Sequence, residues 1–288
     1  MARLSVNGTQ LWVERMGAAG ALPLVLVHGT WADHHEWDAL LPALVPAFQG
    51  VSYDRRGHGL SPRGHGALRL REDVADLAAL LEETGLAPAH VVASAFGGCV
   101  ALRLASERPA LLRSLSVHEP PLFGLLEHEP ALQHLLGDMQ QHVGEVLERL
   151  RAGDLLSGTR HYVEAVAQGP GAWETLPLPL RHSLVAHAHT FLDEAQDPEG
   201  SVLSLGALAG VRFPVLLTRG GRSPRLHAAV AAQLARALPH AVQHVFVDDG
   251  HDPYRTHPQA YGHVLRAFAS GVDIAAGRIA DPAPLPAH

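Results

Sequence analysis

The chain has 288 residues, of which 47% are hydrophobic, so it can bury a large core. Its formal net charge of −7 excludes the basic surface that nucleic acids and acidic membranes attract, and no apolar run approaches the ~20 residues that span a bilayer. The single cysteine excludes an internal disulfide and, since the first residues lack the apolar segment of a secretory signal, predicts a cytoplasmic protein.

The first part of the chain alternates between strand and helix patterns. Residues 3–16 alternate apolar and polar side chains around Asn7-Gly8, a dipeptide typical of the turn between two antiparallel strands. Residues 22–27 are apolar throughout, as in a strand that is buried on both faces of a parallel sheet. The pattern continues through a strand at 50–54, a helix at 70–84, a strand at 89–93, a helix at 97–107 and a strand at 112–118. This order predicts an α/β fold with a parallel sheet and helices on both faces.

Pro120 and Pro121 interrupt this alternation. From there to about residue 205 the apolar residues follow a helical period without a strand pattern. The alternation resumes with a strand at 213–218, a helix at 225–237, a strand at 242–247 and a helix at 258–269. We therefore predict an α/β core of residues 1–120 and 206–270, an inserted helical cap of residues 121–205 and a loosely ordered Ala/Pro-rich tail of residues 271–288.

Residues 89–98 have the strand–turn–helix pattern of the nucleophile elbow, G-x-S-x-G, in which a strained turn directs one side chain into an active site. The positions that flank the nucleophile must be small because the strand and helix backbones nearly touch there. Ala93 and Gly97 occupy these two positions, which leaves Ala95 where the nucleophile is expected. A methyl group cannot attack a substrate. The chain is therefore either a disarmed enzyme or a protein of hydrolase shape that does not hydrolyse.

Ser94 does not replace the missing nucleophile. If Ser94 were the turn residue, Val92 and Phe96 would stand at the two positions that need small side chains, and both are too large. Ser94 is instead predicted to flank the site.

Four motifs in this order resemble those of the α/β-hydrolase superfamily. They are His28-Gly29-Thr30-Trp31 after an early strand, Asp54-Arg55-Arg56-Gly57-His58-Gly59 with Ser61 after the next strand, the elbow, and Gly250-His251 near the end. The resemblance covers about residues 1–120 and 210–268. It implies the α/β-hydrolase fold, a mostly parallel twisted sheet with helices on both faces and an inserted helical cap, and the activity of a serine esterase or lactonase.

The resemblance also implies a general base and an oxyanion hole. His251 stands after the last predicted strand, where the family carries its histidine, and an ordinary pKa of ~6.5 suits imidazole to proton transfer in both directions. The backbone N–H groups of Thr30 and Phe96 map to the oxyanion hole. Candidate substrate-binding residues are Trp31, Ser94, Phe123, Trp173 and Phe191, and core packing is an equally good interpretation of the aromatic ones.

The acid is the less obvious assignment. Many family members carry an aspartate where this chain has Ser223, and a hydroxyl cannot stabilise an imidazolium. Glu119, after the strand 112–118, is the predicted replacement, by similarity to some haloalkane dehalogenases and the fungal zearalenone lactonases. Three other carboxylates remain alternatives, although their closeness to His251 in sequence makes its ring harder to reach: Asp248, Asp249 and Asp252.

The chain contains 21 histidines, almost as many as its 22 lysines and arginines together. The most closely spaced groups are His34-His35 and His187-Ala188-His189, and neither is joined by a cysteine or carboxylate cluster at zinc-site spacing. We therefore predict no metal and no other cofactor.

These features favour a serine hydrolase of carboxylic esters or lactones in which Ala95 replaces the nucleophilic serine. Such a chain is inactive but still binds a small hydrophobic ester or lactone. One alternative is a natural non-catalytic small-molecule binding protein or receptor on a hydrolase scaffold. Another is a non-hydrolytic reaction, such as cofactor-free oxygenation or lyase chemistry, that uses His251 alone. The dehalogenase and epoxide-hydrolase mechanisms need a carboxylate nucleophile, so they remain minor alternatives. The sequence leaves open whether the protein forms an oligomer.

Overall fold

The computed structural model describes residues 2–45, 47–64 and 68–271, so the predicted tail lies outside the described residues apart from Gly271. One eight-stranded sheet runs through these residues, with the spatial order β1-β2-β4-β3-β5-β6-β7-β8. The strands are β1 (Ala2–Val6), β2 (Thr9–Met16), β3 (Leu22–Val27), β4 (Phe48–Tyr53), β5 (Ala89–Ser94), β6 (Leu112–His118), β7 (Val215–Gly220) and β8 (Val242–Phe246). The ladders of β1 with β2 and of β2 with β4 are antiparallel, and the other five are parallel. The predicted fold class, a mostly parallel sheet with helices, is confirmed.

Two strands begin at residues other than those predicted. β4 starts at Phe48, two residues early, because it pairs in register with the whole of β3 from Leu22 onward. β7 starts at Val215, two residues late, because Pro214 has no N–H to donate to a ladder.

Helices cover both faces of the sheet. They are α1 (Leu41–Leu44), α2 (Leu70–Glu83), α3 (Ala95–Glu107), α4 (Gln133–Arg151), α5 (Leu155–His161), α6 (Ala172–Thr175), α7 (Leu178–Gln196), α8 (Arg225–Ala237), α9 (Pro253–Thr256) and α10 (Pro258–Ala269), with a π-helical turn at Tyr162–Ala167 and several short 3-10 turns. Among these described helices, none is both long and apolar enough to cross a bilayer.

The side chains of β3 pack against helices on both faces of the sheet. Its alternate residues point to opposite faces: Val25 and Val27 join the cluster under α2, α3 and α8, whereas Leu24 and Leu26 join the cluster under α1 and α10. All four side chains are fully buried, as the continuous apolar run predicts.

The described residues between β6 and β7 contain helices and no strand, in agreement with the helical period of this segment. α4 and α7 pack together over the loop that follows β3, and a third cluster of buried side chains lies between them: Trp31, Val146, Leu150, Ala188 and Phe191. The boundaries of this segment as a cap domain stay predictions.

A buried guanidinium connects the helical segment to the core. Arg55, in the loop after β4, is fully buried and lies 2.5 Å from Glu194 of α7 and 2.8 Å from Asp73 of α2. Burial opposes the charged form of Arg55, but the two carboxylates outweigh it and raise its pKa above the ordinary value. Arg55 also donates a hydrogen bond to the carbonyl oxygen of Gly29, so one side chain joins both layers to the loop after β3.

We expect Arg55→Met to lower the free energy of unfolding by about 3–5 kcal/mol, because it leaves Glu194 and Asp73 buried without a positive partner. Urea denaturation measures the change. The matched control is Arg71→Met, which breaks an exposed ion pair with Glu199 between the same parts of the molecule and should leave the unfolding midpoint unchanged within error. Equal decreases in the free energy of unfolding of the two variants would contradict the view that the buried ion pairs of Arg55 stabilise the fold more than the exposed pair of Arg71.

Candidate active site

The turn between β5 and α3 has the strained geometry of a nucleophile elbow. Ala95 is the first residue of α3 and has a φ of 43°, in the left-handed region that side chains other than glycine rarely occupy. Gly97 allows the close approach that this turn needs, since a Cβ at that position would lie 2.4 Å from the carbonyl oxygen of His28. Ala95 therefore lies in the strained turn at which the sequence predicts a nucleophile.

Beside Ala95 the structure joins His251, which follows β8, to Glu119, which follows β6. The Nδ1 atom of His251 and the Oε2 atom of Glu119 are 2.6 Å apart. The other carboxylate oxygen of Glu119 accepts a hydrogen bond of 2.8 Å from the backbone N–H of Gly220. The Glu119 backbone also has a positive φ of 44°, so the chain holds this carboxylate in a strained conformation at the end of its strand.

The electrostatics of this pair favour an imidazolium and a carboxylate. Burial alone would lower the pKa of His251, but the hydrogen bond and negative charge of Glu119 outweigh it and raise that pKa to about 9. Burial alone would raise the pKa of Glu119, but His251 and neighbouring imidazoles hold it well below its usual range. The pair can therefore hold a proton on His251 and stabilise the charge that results.

Two further histidines surround the pair and remain neutral at neutral pH. The ring centroids of His118 and His227 lie 5.9 and 5.5 Å from that of His251. Burial lowers the pKa of each to about 4. His227, on α8, has no motif around it in the sequence, and nothing there indicated its position against His251.

The other carboxylates near His251 in sequence have different partners. Asp249 lies 2.6 Å from the Nδ1 atom of His257, and Asp252 accepts a hydrogen bond from Gln168. Asp248 is exposed and lies near Arg222. Glu119 is thus the carboxylate that meets the His251 ring at hydrogen-bond distance.

Three side chains of this site are also close enough to share a metal ion: His118, Glu119 and His251 each offer one ligand atom within 4.8 Å of the others. Both oxygens of Glu119, however, already accept hydrogen bonds from Gly220 and His251. A second group joins His34 and His35 to Asp33, but their Nδ1 atoms lie 2.6 and 2.9 Å from Asp54 and Asp38. In both places the geometry favours hydrogen-bonded pairs.

Hydrogen bonds to Glu36 connect the loop after β3 to the elbow. Glu36 is buried and accepts hydrogen bonds from the backbone N–H of Gly29 at 2.7 Å and from the Ser94 hydroxyl at 2.6 Å. It thereby holds the segment that carries Thr30 next to the turn that carries Ala95. No sequence signal singled out Glu36, since its two partners lie in other motifs.

Ala95 lines two small cavities of about 40 and 60 Å³, and a neighbouring cavity of about 430 Å³ shares Thr30 and Tyr162 with both of them. Ala95, Glu119, His251 and Phe123 line the 40 Å³ cavity. The 430 Å³ cavity has the size of a small-molecule site and a mostly apolar lining that includes Phe96, Phe123, Met139, Val143 and Phe191. Tyr162 belongs to the π-helical turn, and no motif in the sequence indicates that it lines all three cavities.

The remaining predicted binding residues are divided between the cavities and the packing around them. Trp31 lines the 60 Å³ cavity, and its ring lies 4.0 Å from that of Tyr162 and 4.5 Å from that of Phe191, measured between centroids. Ser94 is fully buried and donates to Glu36, outside the cavity linings. Trp173 likewise lines none of the three cavities and packs beside the guanidinium of Arg181.

Several known proteins are similar to this chain in sequence or in structure. The dihydrolipoyllysine-residue acetyltransferase component of the acetoin cleaving system of Cupriavidus necator is 28% identical over 180 residues, 57% of this chain, and the chain spans about half the length of that relative, 48%. The pimeloyl-[acyl-carrier protein] methyl ester esterase of Vibrio atlanticus is 28% identical over 263 residues, which cover 85% of this chain and 93% of the esterase. In the crystal structure of an alpha/beta hydrolase from Sphaerobacter thermophilus, the match covers 93% of this chain and 99% of that one, with a TM-score of 0.73 and 25% identity.

Residues 23–258 match the sequence profile of the alpha/beta hydrolase fold family. This range includes the sheet from β3 to β8, the elbow at Ala95 and the contact between His251 and Glu119. Because the match extends over more than half of the chain, the protein belongs to the alpha/beta hydrolase fold family.

Proposed function

We propose that the protein is a serine hydrolase of carboxylic esters or lactones in a form whose nucleophile position carries alanine. The observation that supports this most directly is the buried 2.6 Å contact between His251 and Glu119, which both line one cavity with the strained Ala95. An acid–base pair at this place serves to activate a hydroxyl on the elbow. Without that hydroxyl the chain binds its substrate and does not cleave it.

With a serine hydroxyl at position 95, each residue of the site takes a defined role. The hydroxyl attacks the ester carbonyl while the Nε2 atom of His251 accepts its proton, and Glu119 stabilises the imidazolium. The backbone N–H groups of Thr30 and Phe96 bind the oxyanion of the tetrahedral intermediate. His251 then donates the proton to the leaving alkoxide, and a water molecule repeats the sequence to release the acid.

The 430 Å³ cavity, which shares Thr30, Phe123 and Tyr162 with the cavity beside Ala95, supports a small hydrophobic substrate. Its apolar lining includes Leu136, Met139 and Val143 of α4, which would surround an acyl or alcohol chain of matching size. The relative from Vibrio atlanticus is named as a methyl ester esterase. The reaction proposed for the active form of this chain, hydrolysis of a carboxylic ester, belongs to the same chemical class. The predicted cytoplasmic location and the absence of nucleic-acid and membrane partners stay predictions.

The alanine itself favours a second candidate, a natural binding protein that uses the cavity as a receptor site. In that case the pair of His251 and Glu119 would remain without a catalytic role. Restoring the hydroxyl distinguishes the two candidates, because a receptor has no requirement to keep a productive distance between position 95 and His251.

We expect the Ala95→Ser variant to hydrolyse short aryl esters or lactones and to react with a fluorophosphonate label. The gain in kcat over the parent should be at least about 10⁴-fold, since nucleophile and base act as a unit in this mechanism. The parent chain is the matched control because it differs only by one oxygen atom. A variant that folds, as judged by circular dichroism, but neither reacts with the label nor hydrolyses any of the panel would overturn the hydrolase proposal in favour of a receptor.

In the Ala95→Ser background, Glu119→Gln should lower kcat by about 10⁴-fold, because an amide cannot stabilise the imidazolium and can hold His251 in the wrong tautomer. Steady-state kinetics with one aryl ester measures the loss. Asp252→Asn is the matched control, since this carboxylate lies next to His251 in sequence but bonds to Gln168, and it should retain most of the activity. Near-full activity of the Glu119→Gln variant would move the acid role to another carboxylate.

The kcat/KM of the Ala95→Ser variant should rise with pH, with a midpoint above the ordinary imidazole value of ~6.5 and toward about 9. Only neutral His251 accepts the serine proton, and Glu119 raises the pKa below which the imidazolium prevails. Adding Glu119→Gln should shift the midpoint to lower pH because it removes the negative charge. A midpoint at or below ~6.5 in the Ala95→Ser variant is incompatible with this electrostatic picture.

A further inference from the structure

A second group of histidines lies in the helical segment, away from Ala95. His142 and Glu145 are three residues apart on α4 and therefore share a face of that helix. His161, the last residue of α5, meets them across the turn between the two helices. One ligand atom of each residue lies within 4.8 Å of the others, and the imidazole centroids are 5.5 Å apart.

The nitrogen atoms of this group have few hydrogen-bond partners. The Nε2 atom of His161 lies 3.1 Å from the Oε2 atom of Glu145, yet its geometry does not form a hydrogen bond with that oxygen. The Nδ1 atom of His142 is inaccessible to solvent and has no hydrogen-bond partner in the described part of the chain. Two ring nitrogens and a carboxylate oxygen are thus close together and poorly satisfied by one another.

We propose that His142, Glu145 and His161 bind a divalent transition-metal ion, with Zn²⁺ as the ion of reference. Two imidazoles and one carboxylate are ligands that Zn²⁺ prefers, whereas Mg²⁺ and Ca²⁺ prefer oxygen ligands alone. Ligands of a tetrahedral zinc ion with bonds of ~2.1 Å are about 3.4 Å apart, close to the 3.1 Å between His161 and Glu145. The side chains of His161 and Glu145 are 22% and 35% exposed, so a water molecule can take the fourth position.

Neighbouring residues both support and oppose the ion. Gln141 donates a hydrogen bond of 3.1 Å to the Oε1 atom of Glu145, which orients the carboxylate and leaves Oε2 for the metal. The guanidinium of Arg149 lies 3.7 Å from the same Oε2 atom and repels a cation. Arg149 is held there by its hydrogen bond to the backbone carbonyl oxygen of Glu145.

The site has a structural consequence for the cavity. His161 directly precedes Tyr162, the residue that lines all three cavities. A metal ion shared by α4 and α5 fixes the start of the π-helical turn against α4, which itself forms one wall of the 430 Å³ cavity through Met139 and Val143. The ion therefore stabilises the helical segment without any contact with Ala95 or His251.

Isothermal titration of ZnCl₂ into the untagged, metal-free full chain tests the proposal, with MgCl₂ as the comparison cation. We expect His161→Ala and Glu145→Gln each to weaken zinc binding at this site by at least about tenfold, so that one equivalent fewer binds at the zinc concentration that saturates the parent. The matched control is His134→Ala, an exposed histidine near the start of α4 outside the group, which should bind like the parent. Arg149→Gln should tighten binding because it removes the opposing charge.

The titration also separates this site from the group around His251. Zinc bound beside His251 would still bind to the His161→Ala variant. A zinc equivalent that this variant fails to bind therefore belongs to the site on α4 and α5. Addition of Zn²⁺ should raise the Tm of the parent and of His134→Ala but not that of His161→Ala. The proposal is overturned if the parent binds no zinc, or if the parent, His161→Ala and Glu145→Gln bind it with the same affinity and stoichiometry.

Discussion

The fully buried guanidinium of Arg55 connects α2, the helical segment and the loop after β3. It pairs with Asp73 of the core and Glu194 of the helical segment, and it donates to the carbonyl oxygen of Gly29 beside the predicted oxyanion loop. It also lies 5.1 Å from the centroid of the Phe96 ring, which belongs to the elbow. A buried positive charge is tolerated only while its carboxylates stay in place, so this one side chain ties α7 to α2 and to the loop after β3.

Two further sets of contacts hold the side chains and loops around Ala95. Glu119 and His251 hold each other at 2.6 Å, and Glu36 holds the loop of Gly29 against Ser94. None of these contacts involves the side chain of Ala95, so the geometry does not require a hydroxyl in order to persist. This independence explains how the elbow keeps its strained backbone and its neighbours while it carries a methyl group.

The fold and part of the site could be predicted because they depend on local patterns. The turn Asn7-Gly8, the apolar run of β3 and the small residues around Ala95 each specify structure within a few positions of the chain. The predicted pairing of Glu119 with His251 rests on the resemblance to family members that carry a glutamate after this strand, and the structure places these residues in contact. Glu36, Tyr162 and His227 were missed because their roles arise from partners in other elements, which no local pattern records. Ser94 and Trp173 were proposed for the cavity from position and residue type, but their side chains contact Glu36 and Arg181 instead.

The sequence by itself determined the parallel sheet, the helical insertion and the alanine at the elbow, because alternation, periodicity and motif order are properties of the chain. Only the tertiary structure decided which of several carboxylates meets His251, since the two residues are 132 positions apart and their distance depends on how β6 and β8 end at one edge of the sheet. It also decided that His142, Glu145 and His161 come together, because that contact requires α4 and α5 to pack across a turn. Distances between side chains follow from packing, and packing is a property of the whole fold.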